Sequence, residues 1–149
     1  MRTSRARRRV VPVAVAVIER RGRYLISQRL PGGHLGDYWE FPGGKRRPGE
    51  AWTACLRREL WEELGVRIRP LGRLEPIRFR YPDRVVYLAV FSCAMAGRPA
   101  ALGCRRFRWV RRQDLARYRF PPADLRLIRA LSMATQLRQA RQRAIIELS

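Results

Sequence analysis

The sequence predicts an α+β fold in which a mixed β-sheet is layered against helices. Three observations support this class. Segments with β-branched or alternating composition are interleaved with two stretches of helical periodicity. Glycine- and proline-rich turns separate these segments. Their order along the chain is two strands, a helix, three strands and a second helix.

Each element is predicted from local signals. Strands are predicted over 10–19, 24–29, 66–80, 84–95 and 107–110, with a short extended piece over 39–41. A first helix is predicted over 51–64, because Gly65 stands where a left-handed glycine commonly ends a helix. A second helix is predicted to begin at Asp124 as its cap and to run to about Arg143. Its apolar side would consist of Leu127, Ile128, Leu131 and Leu137.

The chain is long enough to form one domain with a buried core, at 149 residues and 46% hydrophobic content. It has no internal repeat and no linker, so we predict a single domain over 10–145. Residues 1–9 are predicted to form a disordered basic arm. No apolar run is long enough to cross a bilayer, and the run over 10–18 lacks a small-residue cleavage site. We therefore expect a cytoplasmic protein without a membrane partner.

The residue counts argue against several kinds of site. Three cysteines with wide, irregular spacing indicate free thiols rather than a disulfide framework or a zinc site. His34 is the only histidine, which argues against histidine metal sites and against Ser–His or Cys–His catalysis. Any metal bound by this protein must therefore be held by oxygen atoms.

The chain is strongly basic, with a formal net charge of +21, and Lys45 is its only lysine. Such a field concentrates polyanions such as nucleotides or nucleic acids. A biased genome composition that places arginines on solvated faces would give the same count, so charge alone leaves both interpretations open. The distribution of the acidic residues is more informative than the net charge, because four of the twelve lie between Glu50 and Glu63.

This acidic segment places three carboxylates on one side of the first predicted helix. At about 3.6 residues per turn, Glu59, Glu62 and Glu63 share a face. The apolar stripe beside them consists of Leu56, Leu60 and Leu64. Clustered carboxylates repel one another unless a cation lies among them, and Mg²⁺ accepts carboxylates together with phosphate oxygens. Two interpretations remain open: a metal site for phosphoryl chemistry, or a solvated helix whose glutamates pair with nearby arginines. Those arginines are Arg46, Arg57 and Arg58.

The spacing around these glutamates resembles a family signature. The motif G-x5-E-x7-R-E-U-x-E-E-x-G-U, in which U is aliphatic, is matched at all nine specified positions within 23 residues. The matching residues are Gly44, Glu50, Arg58, Glu59, Leu60, Glu62, Glu63, Gly65 and Val66. On this motif the chain is identified as a member of the Nudix hydrolase family. The resemblance implies an α/β/α sandwich with a mixed sheet, a catalytic loop–helix and a C-terminal helix, in an enzyme that cleaves phosphoric anhydride bonds.

The same resemblance assigns roles to individual residues. Glu59, Glu62 and Glu63 would be metal ligands and water-activating groups, with Mg²⁺ as the cofactor and Mn²⁺ as a substitute. Gly43 would add a backbone carbonyl to the metal. Glu50 and Arg58 would support the loop–helix geometry and are placed among the catalytic residues. Gly44 and Lys45, in the same turn, are expected to contact the substrate.

Further stretches resemble the MutT branch of this family, whose members act on nucleotides such as oxidised dGTP. These stretches are 26–29, 34–45, 81–84 and 120–124. By this resemblance Arg29 and Arg84 would contact the nucleotide, and Asp124 would read the edge of the base. An ionised carboxylate only accepts hydrogen bonds, as from cytosine N4 or guanine N1 and N2. Hydrolysis of oxidised dGTP and hydrolysis of CTP or modified dCTP are therefore both open, and simple helix capping is a further role for Asp124.

The sequence departs from the family pattern at one place. Many relatives carry a further glutamate at the position of Gly103, and here no acid lies between Asp83 and Asp114. Two other functions also remain open. One is a nucleic-acid-binding module that uses the basic arm and surface, and the other is a Nudix enzyme acting on capped RNA or a dinucleotide. The oligomeric state is not indicated by the sequence.

Overall fold

The computed structural model describes residues 7–148. Its strands are β1 (Arg9–Val17), β2 (Glu19–Arg20), β3 (Arg23–Gln28), β4 (Trp39–Glu40), β5 (Gly43–Lys45), β6 (Arg67–Arg73), β7 (Ile77–Arg80), β8 (Arg84–Ala96) and β9 (Arg106–Arg111). The helices are α1 (Trp52–Leu64) and α2 (Pro122–Leu148), with a short 3₁₀ helix at Arg112–Arg117.

The larger of two sheets has five strands and is mixed, as predicted. Its central pair, β1 and β8, runs parallel over nine residue pairs from Arg9–Arg84 to Val17–Ser92. Strand β5 pairs antiparallel with the other edge of β1. Strands β7 and β6 pair antiparallel with successive halves of the long β8. The interior of this sheet is therefore a parallel pair covered on both faces, which explains the nearly continuous apolar composition of both strands.

The two faces of this sheet support two separate cores. Because side chains alternate along a strand, Ala14 and Ala16 of β1 pack with the buried side of α1, whereas Val15 and Val17 pack with α2. The predicted stripe of α1, Leu56, Leu60 and Leu64, is fully buried. On α2 the buried residues are Ala123, Leu127 and Leu131. The predicted α/β/α layering is confirmed, and α1 is held directly beside β5.

The smaller sheet corrects the predicted hairpin. Strand β3 pairs antiparallel with β2, β4 and β9 rather than with the long first strand. The first strand ends at Val17, since both of its edges are already used by β5 and β8, and only Glu19–Arg20 continue into the hairpin. This arrangement carries β3 and the loop after it to the side of the large sheet where β5 begins.

Several predicted boundaries are also wrong. The segment 66–80 forms two strands, because pairing with β8 stops after Leu74, whose N–H donates to the Val90 carbonyl at 2.9 Å, and Pro76 lacks an N–H group to continue it. The helix predicted from Asp124 begins at Pro122, so Asp124 lies within the first turn instead of at the cap, and the helix extends to Leu148. Leu137, expected on its apolar side, is 61% exposed.

The predicted arm over 1–9 lies mostly outside the described residues, which begin at Arg7. Arg9, which was predicted to lie in the arm, belongs to β1. The bounds 10–145 of a single domain remain a prediction. Within the described chain, neither helix combines the length and apolarity that a membrane span requires.

Candidate active site

The turn before α1 brings backbone and carboxylates together at β5. A Cβ atom added to Gly43 would collide with the carbonyl oxygen of Ala14, the neighbouring residue on β1. A Cβ added to Gly44 would occupy the place of the Glu59 carboxylate. Segment 43–45, expected to be a turn, therefore forms a strand in which position 43 is open only to glycine and a side chain at position 44 would displace the Glu59 carboxylate. The glycines let the helix carboxylates lie directly against the sheet backbone.

Arg58 organises one group of carboxylates on α1. Its guanidinium binds Glu50 through two hydrogen bonds, Nε to Oε2 at 2.8 Å and Nη2 to Oε1 at 2.9 Å. It also donates to Glu59 Oε1 at 2.8 Å and to Glu62 Oε2 at 3.4 Å. These bonds to Arg58 hold the pKa of Glu50 down at about 2. Arg58 thus ties the incoming loop to the acidic face of the helix.

Glu63 faces the opposite way, into a cavity of about 420 Å³ between β1, β5, β8 and the start of α2. Its carboxylate accepts a hydrogen bond from the backbone N–H of Gly43, and its Oε2 atom is buried without a hydrogen-bond partner. Burial raises the pKa of Glu63 to about 9, and repulsion from Glu40 and Glu59 adds to the shift. A buried oxygen with no donor is costly, so this atom is poised to receive a cation or proton donor.

A cross-strand ion pair forms the next wall of the cavity. Arg29 Nε donates to Glu40 Oε2 at 2.8 Å, and both side chains line the cavity with Glu63. Burial raises the pKa of Glu40, although the pairing with Arg29 opposes this shift. No role was predicted for Glu40. The sequence gives little indication of this role. Glu40 comes to lie on the same face as Arg29 only because it pairs with Ser27 across β3 and β4.

The predicted base-recognition residues meet at the far end of the cavity. Arg84 and Asp124 both line it, together with Tyr81, which was not singled out from the sequence. The Arg84 guanidinium lies 5.8 Å from the centre of the Tyr81 ring, and its Nε atom is buried without a hydrogen-bond partner. The Tyr81 hydroxyl accepts a hydrogen bond from the N–H of Ala123 at 3.3 Å, which connects the loop between β7 and β8 to the first turn of α2.

Asp124 is the most perturbed acid in this end of the cavity. Burial raises its pKa to about 7, and the charge of Glu40 adds to that shift. Arg29 and the backbone N–H groups of Phe41 and of Asp124 itself act in the opposite direction. Gly44 and Lys45 also line the cavity, so all five predicted substrate-binding residues are brought together.

The donor atoms suit a hard divalent cation, although they do not converge on one point. In the stretch 7–148, no three Asp, Glu, His or Cys side chains lie close enough to form a metal site as they stand. The reason is that Arg58 draws Glu59 and Glu62 to one side while Glu63 faces the cavity. The unpartnered Oε2 of Glu63, beside Glu59 and Glu40, nevertheless provides the oxygen ligands that Mg²⁺ prefers.

The loop around Gly103 closes the C-terminal end of α1. The N–H groups of Leu102 and Gly103 both donate to the Glu63 carbonyl at 3.0 Å, and that of Ala100 donates to the Leu64 carbonyl at 2.9 Å. These bonds satisfy helix carbonyls that would otherwise lack partners. A side chain at position 103, where many relatives carry a glutamate, would begin against the backbone of Glu62 and Glu63. Glu40 contributes a carboxylate to the cavity from another element.

A loop–helix of this composition, beside a mixed sheet between two helices, defines the Nudix class of hydrolase fold. The NUDIX domain family model matches residues 13–130. The chain therefore belongs to the Nudix hydrolase family, as the sequence predicted.

Curated relatives match over nearly their whole length. The chain is 31% identical over 126 residues to an 8-oxo-dGTP diphosphatase of Haemophilus influenzae, covering 83% of this chain and 93% of that protein. It is 29% identical over 133 residues to a CTP pyrophosphohydrolase of Escherichia coli strain K12, covering 89% and 98%. Among solved structures, the E. coli ORF135 protein is similar with a TM-score of 0.76 and 30% identity, covering 90% and 94%. A MutT NUDIX hydrolase from Burkholderia pseudomallei shares the fold, with a TM-score of 0.73 and 22% identity, covering 81% and 97%.

Proposed function

We propose that this protein is a Mg²⁺-dependent nucleoside triphosphate pyrophosphohydrolase that releases a nucleoside monophosphate and pyrophosphate, with oxidised dGTP as its substrate. The observation that carries the proposal is the composition of one cavity. It is lined by Glu63, whose buried Oε2 atom has no hydrogen-bond partner, and by Asp124 and Arg84. The charge of Arg29 interacts with both Glu63 and Asp124, and Lys45 also lines the cavity. One cavity can therefore hold phosphates and a base at once.

Each end of the cavity has its own chemistry in this proposal. Glu59, Glu62, Glu63 and the Gly43 carbonyl would hold Mg²⁺, which when bound neutralises phosphate charge and polarises the bond to be broken. Glu63, whose buried carboxylate would be kept ionised by the bound cation, is placed to orient an attacking water and take its proton. Arg29 and Lys45 bind the phosphate chain as fixed cations. Arg84 and Tyr81 present flat surfaces to the base, and Asp124 accepts hydrogen bonds from its edge.

A second candidate is the hydrolysis of CTP or a modified dCTP. It is favoured by Asp124 itself, since a carboxylate pairs well with the exocyclic amino group of cytosine. The match to the CTP pyrophosphohydrolase of E. coli extends over 98% of that protein. Both candidates use the same phosphate end, so they differ in the base that Asp124 receives and, for CTP, in the sugar.

A kinetic panel tests the proposal and separates the two candidates. Pyrophosphate release is measured with 8-oxo-dGTP, dGTP, CTP, dCTP, 5-methyl-dCTP and ADP-ribose, each with Mg²⁺, with Mn²⁺ and with a chelator. We expect turnover of 8-oxo-dGTP with Mg²⁺, partial replacement by Mn²⁺ and loss of turnover with the chelator. Preference for the cytosine nucleotides would select the second candidate. Turnover that persists in the chelator, or that is confined to ADP-ribose, would contradict both.

The pKa of Asp124 predicts a pH dependence of nucleotide binding. Only the ionised carboxylate accepts hydrogen bonds at both oxygens, and its pKa in the folded protein is about 7. Affinity for the preferred nucleotide should therefore rise as pH increases through 7 and fall as Asp124 becomes protonated below it. KM measured between about pH 6 and 8 checks this expectation, across about one unit on each side of that pKa.

The matched control is Asp124→Asn, whose amide does not titrate. Its KM should lack this component of the pH dependence, while any contribution from the substrate phosphates remains in both proteins. A KM profile that is identical in the Asn variant would show that Asp124 does not contact the base.

A further inference from the structure

Four exposed arginines lie together on the smaller sheet and on the segment before α2. They are Arg105, Arg106, Arg108 and Arg119, which we call the arginine surface. The surrounding sequence is strongly basic, because the stretch between Gly97 and Pro121 contains eight arginines and one acid, Asp114. None of the four lines the active-site cavity among the described residues, so the proposed nucleotide chemistry does not account for them.

Aromatic rings hold these guanidinium groups in place. Those of Arg106 and Arg108 lie 5.5 Å and 5.6 Å from the centre of the Trp39 ring. The Arg119 guanidinium lies 4.3 Å from the centre of the Tyr38 ring. Stacking on a ring fixes the plane of a guanidinium, so less conformational freedom is lost when its remaining N–H groups bind an anion.

The arginine surface is continuous with the wall of the active-site cavity. The N–H of Trp39 donates to the carbonyl of Arg119 at 2.8 Å, and the N–H of Arg29 donates to the carbonyl of Tyr38 at 2.9 Å. His34, Leu35 and Glu40, from the same segment, line the cavity. Segment 34–40 therefore has the arginine surface on one side and the cavity on the other.

The charge of this surface is largely uncompensated. Within the described residues, the four arginines form one ion pair, between Arg105 Nη1 and Asp37 Oδ1 at 2.6 Å. Arg106 and Arg108 are two positions apart on β9, so they project to one face at a spacing of about 7 Å. A row of fixed cations matches a ligand with regularly repeated negative charges, and exposed guanidinium planes offer stacking surfaces for unpaired bases.

We propose that the arginine surface binds the sugar–phosphate backbone of a single-stranded nucleic acid. This inference goes beyond the proposed nucleotide hydrolysis and does not depend on it. Binding can be measured without divalent metal and without turnover, so failure of one proposal is distinguishable from failure of the other.

The test uses fluorescence anisotropy of labelled oligo(dT) and oligo(U) with the full-length protein over a range of salt concentrations. The double variant Arg106→Gln/Arg108→Gln removes two positive charges. Each phosphate neutralised on a single strand contributes about 0.7 to the slope of log affinity against log salt. The double variant should therefore reduce the slope by about 1.4 and lower affinity on the order of tenfold at about 0.1 M salt. Parallel losses for both oligonucleotides would show backbone binding, whereas a loss for one alone would identify which nucleic acid is preferred.

Two matched double variants change the same formal charge elsewhere. Arg141→Gln/Arg143→Gln lies near the end of α2, and Arg7→Gln/Arg8→Gln lies before β1. Both should bind nearly as the unmodified protein does. Equal losses in all three would reflect net charge alone, and a loss confined to the Arg7/Arg8 variant would place binding on the N-terminal arm. Either result would overturn the proposal, as would unchanged binding by Arg106→Gln/Arg108→Gln.

Two further measurements keep the test decisive. The single variant Arg119→Gln should reduce the slope by about 0.7, and it replaces the double variant if thermal unfolding shows that the latter is misfolded. Vesicles that contain phosphatidylserine provide a different anionic surface. Binding to these vesicles without binding to either oligonucleotide would assign the surface to a membrane and overturn the proposal.

Discussion

Glu63→Gln is expected to lower kcat by about 10³-fold while leaving the fold intact. In the proposed mechanism, the Glu63 carboxylate supplies negative charge and accepts a proton at the buried Oε2 atom, and an amide can do neither. The unfolding temperature should not fall in the absence of divalent metal, because the Glu63 carboxyl, with its pKa raised to about 9, is already uncharged at neutral pH and the amide has the same shape. Pyrophosphate release and a thermal melt of the same sample measure both effects.

The control for Glu63→Gln is Glu75→Gln, which makes the same chemical change on an exposed turn between β6 and β7. Its kcat should equal that of the unmodified protein. General base catalysis normally accounts for a larger factor than about ten. If Glu63→Gln retains more than about a tenth of the activity, Glu63 is therefore not the water-activating group. Glu62→Gln then becomes the informative variant, since Glu62 is the most exposed of the three carboxylates, with 52% of its side chain accessible.

Gly43→Ala is expected to have the largest effect on stability. The added methyl group would collide with the Ala14 carbonyl on the adjacent strand, and both residues lie in strands whose backbone is fixed by sheet pairing. Overpacking and backbone strain together should lower the free energy of unfolding by about 3 kcal/mol. For a protein of this size the unfolding temperature would fall by roughly 6–12 °C. Activity should fall as well, because relieving the collision would displace the residue 43 N–H that donates a hydrogen bond to Glu63.

Gly72→Ala is the appropriate control for this prediction. Gly72 also lies in a strand of the larger sheet, and a Cβ atom added there meets no other atom within 4 Å. Differential scanning calorimetry of the two variants should show a large shift for position 43 and a small one for position 72. Equal shifts would mean that the collision at Ala14 is relieved by movement of β5.

The acidic helix could be predicted closely because its signals are local. Its apolar stripe, the spacing of its glutamates and the stop at Gly65 all lie within the helix and its cap, and the observed start differs by one residue. Strand β5 could not be predicted in the same way. Gly43 and Gly44 carry no side chain that would indicate a strand, and their pairing with β1 is made by backbone and by the close fit to Ala14.

The cavity illustrates the same limit at the level of function. The motif and the resemblance supplied Arg29, Arg84 and Asp124, and the structure brings all three to one cavity. Glu40 and Tyr81 were missed because their roles depend on partners far along the chain. Glu40 on β4 pairs with Arg29, which directly follows β3, and Tyr81, in the loop between β7 and β8, contacts the first turn of α2. Neither contact has a local sequence pattern.

The walls of the cavity have a consequence for how this protein could diverge. In the proposed mechanism the carboxylates for chemistry come from α1, whereas the groups at the base end come from β8, within the larger sheet, and from α2 on the opposite face of that sheet. A substitution at Asp124 or Arg84 would therefore change the preferred base without disturbing the packing that holds Glu63. Natural selection could therefore alter nucleotide preference through residues at one end of the cavity, while the residues proposed to carry out hydrolysis at the other end stay the same.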